Sequence, residues 1–179
     1  DGDDSSADQD SQSCLADSDL NRFELTDESK RLARGETIDL VVYDAFLAPE
    51  GAFERFKDET GITVNILTTS DTGTMVSQAV LTSGDPVGDV MFGIDNTFLC
   101  RALNNDVFMP YRSSTWNELS NELKLDPIGR VTPVDYGDIC LNFWKDAFSD
   151  APTSIQDLTS SSFSAQFVTQ NPETSAPGM

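Results

Sequence analysis

The fold is decided by the stretch from residue 37 to residue 67, which reads TIDLVVYDAFLAPEGAFERFKDETGITVNIL. Residues 37–43 are rich in apolar and β-branched side chains, a composition that predicts a buried strand. Pro49 favours the first turn of a helix, and Gly61 is suited to end that helix in the left-handed conformation. Apolar and polar side chains then alternate over residues 62–67, which predicts a second strand. A β-α-β unit of this kind is parallel and right-handed.

The alternation of strand and helix continues along the chain. The spacing of apolar residues predicts a helix over residues 73–83, a short strand over 89–93 and a further helix through Leu103. Strands that alternate with helices favour an open α/β sheet flanked by helices. Ligands of such sheets bind outside the carboxyl ends of the strands, where we expect the functional site. Those ends lie at residues 43–46, 68–73 and 93–96.

The chain divides into three parts. Residues 1–35 are predicted to be an acidic, disordered tail, because residues 1–19 are rich in Asp, Ser and Gln and contain no Lys or Arg. Residues 36–134 are predicted to form an α/β lobe, and residues 135–179 the crossover and the start of a second lobe. In that last part we expect an extended segment over 131–144, a capped helix near residue 154 and a strand that ends at Val168, before small residues at 171–178. We expect the chain to be the first portion of a longer protein.

Composition excludes several functions. The formal charge is −20, with 31 acidic and 11 basic residues, so the surface would repel a nucleic acid. This charge suits a cationic ligand, but it suits a merely soluble surface as well. The chain contains no histidine, which removes the commonest transition-metal ligand and the usual general base. Cys14, Cys100 and Cys140 match no metal-binding spacing, and we expect neither a metal site nor a disulfide.

Enzymatic activity is not expected. The sequence has no phosphate-binding loop of the Walker type and no G-x-S-x-G motif. The alternative that remains is an acidic hydrolase that uses the carboxylates of Asp44 and Asp95 at adjacent strand ends. Acidic residues at such turns more often cap a helix or face solvent, so we predict a binding protein without a cofactor.

Four segments carry a resemblance to a known family. They are VYDAF at 42–46, DVMFGIDN at 89–96, VDYG at 134–137 and NPETSAPG at 171–178. In content, order and spacing they resemble successive motifs of the thiamine-binding periplasmic proteins, the substrate-binding components of ABC importers. The family patterns usually read YDSF, GLDN, DYG and DP-x-TSTPG. This chain therefore departs from them at Ala45, Ile94, Asn171 and Ala176, and two ligand hydrogen bonds could be lost with the hydroxyls absent at positions 45 and 176.

The resemblance implies a type II periplasmic-binding-protein fold, in which two lobes are built on open, mixed β-sheets flanked by helices. The first lobe and the start of the second would be present here. It implies an extracytoplasmic, monomeric protein, in the periplasm or on the cell surface, where a lipid anchor could hold it. Thiamine or a thiamine phosphate would bind in the cleft between the lobes, and the protein would deliver it to ABC permease subunits.

The resemblance also implies the site residues. Tyr43 would stack on the ligand, Asp44 or Asp95 would lie near its cationic or amino group, and Ser175 would anchor the alcohol or phosphate. The remaining candidates are Thr72 and Gly73, in a polar turn that matches the family approximately, and Asn96.

Each assignment has a structural alternative. Tyr43 could cover the core at a strand end, Asp95 with Asn96 could cap the next helix, and Gly73 could be required for backbone conformation alone. Within the same class of protein the ligand could be ferric iron or a polyamine. An iron site needs several convergent tyrosines, and the chain offers only Tyr43, Tyr111 and Tyr136.

Overall fold

A parallel three-stranded sheet organises the part of the chain that the computed structural model describes, which is residues 27–113, 115–148, 150–164 and 166–178. Strand β1 is central and pairs in parallel with β2 on one side and β3 on the other. The predicted α/β class is confirmed. In chain order the elements are α1 Asp27–Leu32, β1 Thr37–Val42, α2 Ala52–Thr60, β2 Thr63–Thr68, α3 Thr72–Leu81, β3 Val90–Phe92 and α4 Asn96–Leu103.

The β1-α2-β2 unit follows the sequence pattern closely. Gly61 ends α2 with a φ of 79°, and its N–H donates to the carbonyl oxygen of Lys57 at 2.7 Å, as a left-handed helix end requires. The helix begins at Ala52, three residues later than the predicted start at Pro49. Gly51 has a φ of 73°, which a helix cannot include, so residues 49–51 form a turn instead.

The largest buried cluster lies between helices α3 and α4. Val76, Phe98 and Ala102 form a buried cluster, and Val41 and Val42 of β1 are also buried. Val76 is 0% exposed, so a larger or smaller side chain at this position would disturb the packing of its neighbours. The apolar periodicity of the two helices thus predicts which of their faces pack inwards.

An ion pair ties the chain after α4 back to this core. The carboxylate of Asp126 is 1% exposed and accepts from Arg130 Nε at 3.0 Å and from Arg130 Nη2 at 3.1 Å. Arg130 Nη1 also reaches the carbonyl oxygen of Leu103, at the end of α4, at 3.5 Å. These contacts hold residues 126–130 against the end of α4.

The described residues from 131 onward form no strand, and their regular structure is confined to short 3₁₀ turns. The helix predicted near residue 154 is such a turn, Gln156–Thr159, and the Asp157 carboxylate accepts from the backbone N–H groups of Thr153 and Ser154. The strand predicted to end at Val168 is wrong: Val168 is 91% exposed, and among the described residues no strand includes it or lies beside it to pair with. The sheet of the described residues is parallel, and the mixed sheets and two-lobe arrangement of the type II fold stay predictions.

The predicted tail is described only in part. Residues 27–35 contain the short helix α1, while residues 1–26 lie outside the described residues. The prediction that no disulfide forms is wrong, because Cys100 is disulfide-bonded. Cys140 is a free, exposed thiol, and Cys14 lies outside the described residues. The spacing of cysteines in the sequence does not predict the disulfide of Cys100, because it does not report which cysteines lie close together in space.

Candidate functional site

The carboxyl ends of the three strands meet at one edge of the sheet. The N–H of Asp44, after β1, donates to the carbonyl oxygen of Ser70, after β2, at 3.0 Å. The hydroxyl of Thr72 donates to the carbonyl oxygen of Gly93, after β3, at 3.2 Å. These two bonds tie together the three turns that carry most of the predicted site residues.

Tyr43 lies across the end of β3. Its ring is so close to the backbone of Gly93 that a Cβ at that position would lie 2.7 Å from Tyr43 Cε1, well inside contact distance. Gly93 also has a φ of 107°, which favours glycine. The ring is half-buried, so Tyr43 covers the sheet edge and keeps part of its surface open.

Asp95 caps helix α4. Its Oδ1 accepts from the N–H groups of Thr97 at 3.2 Å and Phe98 at 3.3 Å, and its Oδ2 accepts from the Thr97 hydroxyl at 2.7 Å. Asn96 follows as the exposed first residue of the helix. Asp95 thus caps the next helix, which is the structural alternative to a ligand contact. A role in ligand contact stays a prediction.

Asp71 is a residue of the site that the sequence analysis missed. It caps α3, accepting from the N–H of Thr74 at 3.0 Å. A hydrogen bond from the Thr174 side chain, followed by those from Thr74, holds the pKa of Asp71 below its usual value of 3.8. An Asp two residues before the predicted start at residue 73, where capping residues are common, was the signal that could have found it.

Residues 171–178 reach the same edge from the far end of the chain. The N–H of Gly73 donates to the carbonyl oxygen of Thr174 at 2.8 Å. The Ser175 hydroxyl donates to Gln170 Oε1, and the Ser175 N–H donates to the carbonyl oxygen of Asn171 at 2.9 Å. A 3₁₀ turn follows over Ala176–Gly178.

The structure therefore brings all seven predicted residues to one edge of the sheet. The N–H of Gly73 is already hydrogen-bonded to the Thr174 carbonyl oxygen. The edge presents an exposed carboxylate at Asp44, a half-buried tyrosine and a half-buried serine. Such groups suit an aromatic or cationic ligand with a hydroxyl or phosphate arm. In the described parts of the chain, no three Cys, Asp or Glu residues are grouped so as to hold a metal ion.

A separate cavity of about 490 Å³ lies elsewhere, among the 3₁₀ turns. Phe148, Asp157 and Phe163 are among its lining residues, and the two rings lie 5.4 Å apart between centroids. It contains none of the predicted site residues.

In the described residues no helix has the length and apolar composition needed to cross a bilayer.

Comparison with known proteins gives distant relatives. The chain is 23% identical over 149 residues to a thiamine-binding periplasmic protein of Brucella suis biovar 1 (strain 1330), an alignment that covers 80% of this chain and 44% of the relative. Proteins of the same name from Brucella abortus and Brucella melitensis are 22% identical over the same length. The chain thus spans less than half the length of the curated relatives it matches. No family model and no solved structure matches it.

Proposed function

We propose that the chain is the ligand-binding first portion of an extracytoplasmic solute-binding protein for thiamine or its phosphates, which serves an ABC importer. The observation that carries the proposal is the seating of residues 171–178 on the carboxyl edge of the sheet. Ser175 follows Thr174, whose carbonyl oxygen accepts from Gly73, and its nearness to the turns that hold Tyr43 and Asp95 supports the proposal. The distant relatives, which are thiamine-binding periplasmic proteins by name, support the same class.

The chemistry of thiamine fits this edge. Thiamine joins an aromatic aminopyrimidine to a cationic thiazolium ring, and it ends in an alcohol or a phosphate. The Tyr43 ring offers a stacking face, and a carboxylate at Asp44 or Asp95 attracts the cation or accepts from the amino group. The Ser175 hydroxyl and the backbone around it would bind the alcohol or phosphate arm.

The arrangement of the complete protein follows from this proposal. Residues 36–134 would be the first lobe, residue 135 would begin the passage to the second, and the ligand would be enclosed when the lobes close about a hinge. The protein would act outside the cytoplasm as a monomer, and it would bind and deliver without chemical turnover. A lipid anchor before residue 36 would be compatible with this role.

The test is calorimetric titration of the full-length protein with thiamine, thiamine monophosphate, spermidine and ferric citrate. We expect the thiamine forms to bind and Asp44→Asn or Ser175→Ala to weaken them about tenfold or more, since a hydrogen bond to a charged group contributes about 1.5–3 kcal/mol. Asp58→Asn, an equal change of charge on the exposed face of α2, should leave affinity unchanged. Heat from iron or spermidine but none from the thiamine forms would reject thiamine as the ligand.

A further inference from the structure

The contact between Gly73 and Thr174 joins residues that are far apart in the sequence. Besides the hydrogen bond from the Gly73 N–H to the Thr174 carbonyl oxygen, the two backbones are in close approach. A Cβ on residue 73 would lie 2.8 Å from that oxygen, 2.9 Å from the Thr174 Cα and 3.0 Å from Cζ of Phe98. Two of these atoms belong to the backbone, so a methyl group at residue 73 could be accommodated only if the segment moved away.

Two further contacts hold the same segment. Thr174 donates a side-chain hydrogen bond to the carboxylate of Asp71, which also caps α3. Ala176 packs against the buried cluster that Val76 and Phe98 form with Ala102. Residues 171–178 are thus fixed to α3 by a backbone bond, a side-chain bond and an apolar contact, and Ser175 lies between the points of attachment.

We propose that Gly73 and Thr174 form a seat that positions Ser175 at the sheet edge, so that Gly73 is a positioning residue and not a ligand contact. The Gly73 N–H that an anion would need is already bonded to Thr174. The missing Cβ is what allows the Thr174 backbone to approach. For its effect on affinity this inference rests on the proposed function, because it assumes that Ser175 contacts the ligand.

The seat can be tested without any ligand, by hydrogen exchange of the backbone amides of Ser175 and Gly178 measured by NMR. These amides are bonded to carbonyl oxygens within the segment. Gly73→Ala should accelerate their exchange about tenfold or more, which corresponds to the loss of one hydrogen bond of about 1.4 kcal/mol. Gly84→Ala is the matched control, because a Cβ there meets nothing within 4 Å and its φ is not in the left-handed region.

Helix propensity sharpens this comparison. Residue 73 lies in the first turn of α3, and alanine has a higher intrinsic helix propensity than glycine. Without a seat, Gly73→Ala would stabilise the helix and leave residues 171–178 unaffected. Unchanged exchange in Gly73→Ala would therefore overturn the inference, whether or not the protein binds thiamine.

A second arm measures the consequence for binding. We expect Gly73→Ala to raise the Kd for thiamine about tenfold and Gly84→Ala to leave it unchanged. Thr174→Val, which keeps the shape but removes the hydroxyl, should also weaken binding, and Thr174→Ser, which restores the hydroxyl, should recover it. Accelerated exchange with unchanged affinity would show that the seat exists but does not position Ser175, which overturns the proposed role.

The two arms separate the inference from the function on which it rests. If the wild-type protein binds none of the thiamine forms, the proposed function fails and the positioning role fails with it. The exchange experiment still decides whether Gly73 seats the segment. If the wild-type protein binds thiamine and Gly73→Ala changes neither quantity, the function stands and the seat is rejected.

Discussion

Asp95 allows its two roles to be separated by a pair of substitutions. Asp95→Ala removes three accepted hydrogen bonds, from the N–H groups of Thr97 and Phe98 and from the Thr97 hydroxyl. Helix α4 depends on this cap while it carries Phe98 and Leu99 into the core. The loss of such a cap costs about 1–2 kcal/mol.

Asp95→Asn removes the charge but keeps the cap. Asparagine is as good a capping residue as aspartate, its Oδ1 can still accept from both N–H groups, and the Thr97 hydroxyl can rotate to accept from the new amide. We therefore expect this variant to lose less than about 0.5 kcal/mol of stability. If the Asp95 carboxylate contacts the cationic part of a ligand, the same variant loses affinity about tenfold or more.

Urea unfolding followed by circular dichroism measures the first quantity, and calorimetric titration with thiamine measures the second. For a chain of this size, Asp95→Ala should also lower the Tm by about 2–8 °C. Equal destabilisation by Asp95→Asn and Asp95→Ala would refute the capping argument. Wild-type affinity in a fully folded Asp95→Asn variant would leave Asp95 as a cap alone and remove it from the predicted binding residues.

Three further outcomes follow from the packing and the charges. Arg130→Met leaves the buried carboxylate of Asp126 without its cation and should cost about 3–5 kcal/mol in urea unfolding. Met75→Ala shortens a side chain that is 1% exposed and leaves a cavity, so it should lower the free energy of unfolding by about 2–5 kcal/mol in the same assay. Because hydrogen bonds lower the folded-state pKa of Asp71, its contribution to stability is present above pH 3.8 and is lost as the pH falls through that lower pKa. An NMR titration should place the midpoint of Asp71 below 3.8, and Thr174→Val should raise it towards that value.

Matched controls accompany these measurements. Arg31→Met breaks an ion pair with Glu28 that is mostly exposed, at 71% and 76% for the two side chains, and should cost less than about 1 kcal/mol. Met109→Ala changes a side chain that is 77% exposed and should alter stability by less than about 0.5 kcal/mol. If the buried substitution of either pair lowered the free energy of unfolding no more than its exposed control, the burial on which the two stability predictions depend would be contradicted. An Asp71 midpoint that Thr174→Val leaves in place would contradict the hydrogen bond between the two side chains.

Much of the sheet and of the helices beside it could be predicted from local sequence patterns. The β-branched run of β1, the alternation of β2 and Gly61 after α2 depend on interactions between near neighbours, which the sequence displays directly. The same is true of the edge at which the candidate residues meet, because parallel strands bring their carboxyl ends together. The later part of the chain was predicted less well. A strand near Val168 needs a partner strand to satisfy its backbone, and an apolar run cannot report whether that partner is present.

The class of the sheet, the order of its elements and the edge at which polar side chains collect all follow from sequence periodicity and from the handedness of the β-α-β unit. The contacts that those side chains make depend on the packed fold. It gave Asp95 the N–H groups of α4, bonded Cys100 in a disulfide and placed the backbone of Thr174 on Gly73. Such contacts join residues that are distant along the chain or choose among several partners of similar chemistry, and the packed fold makes that choice.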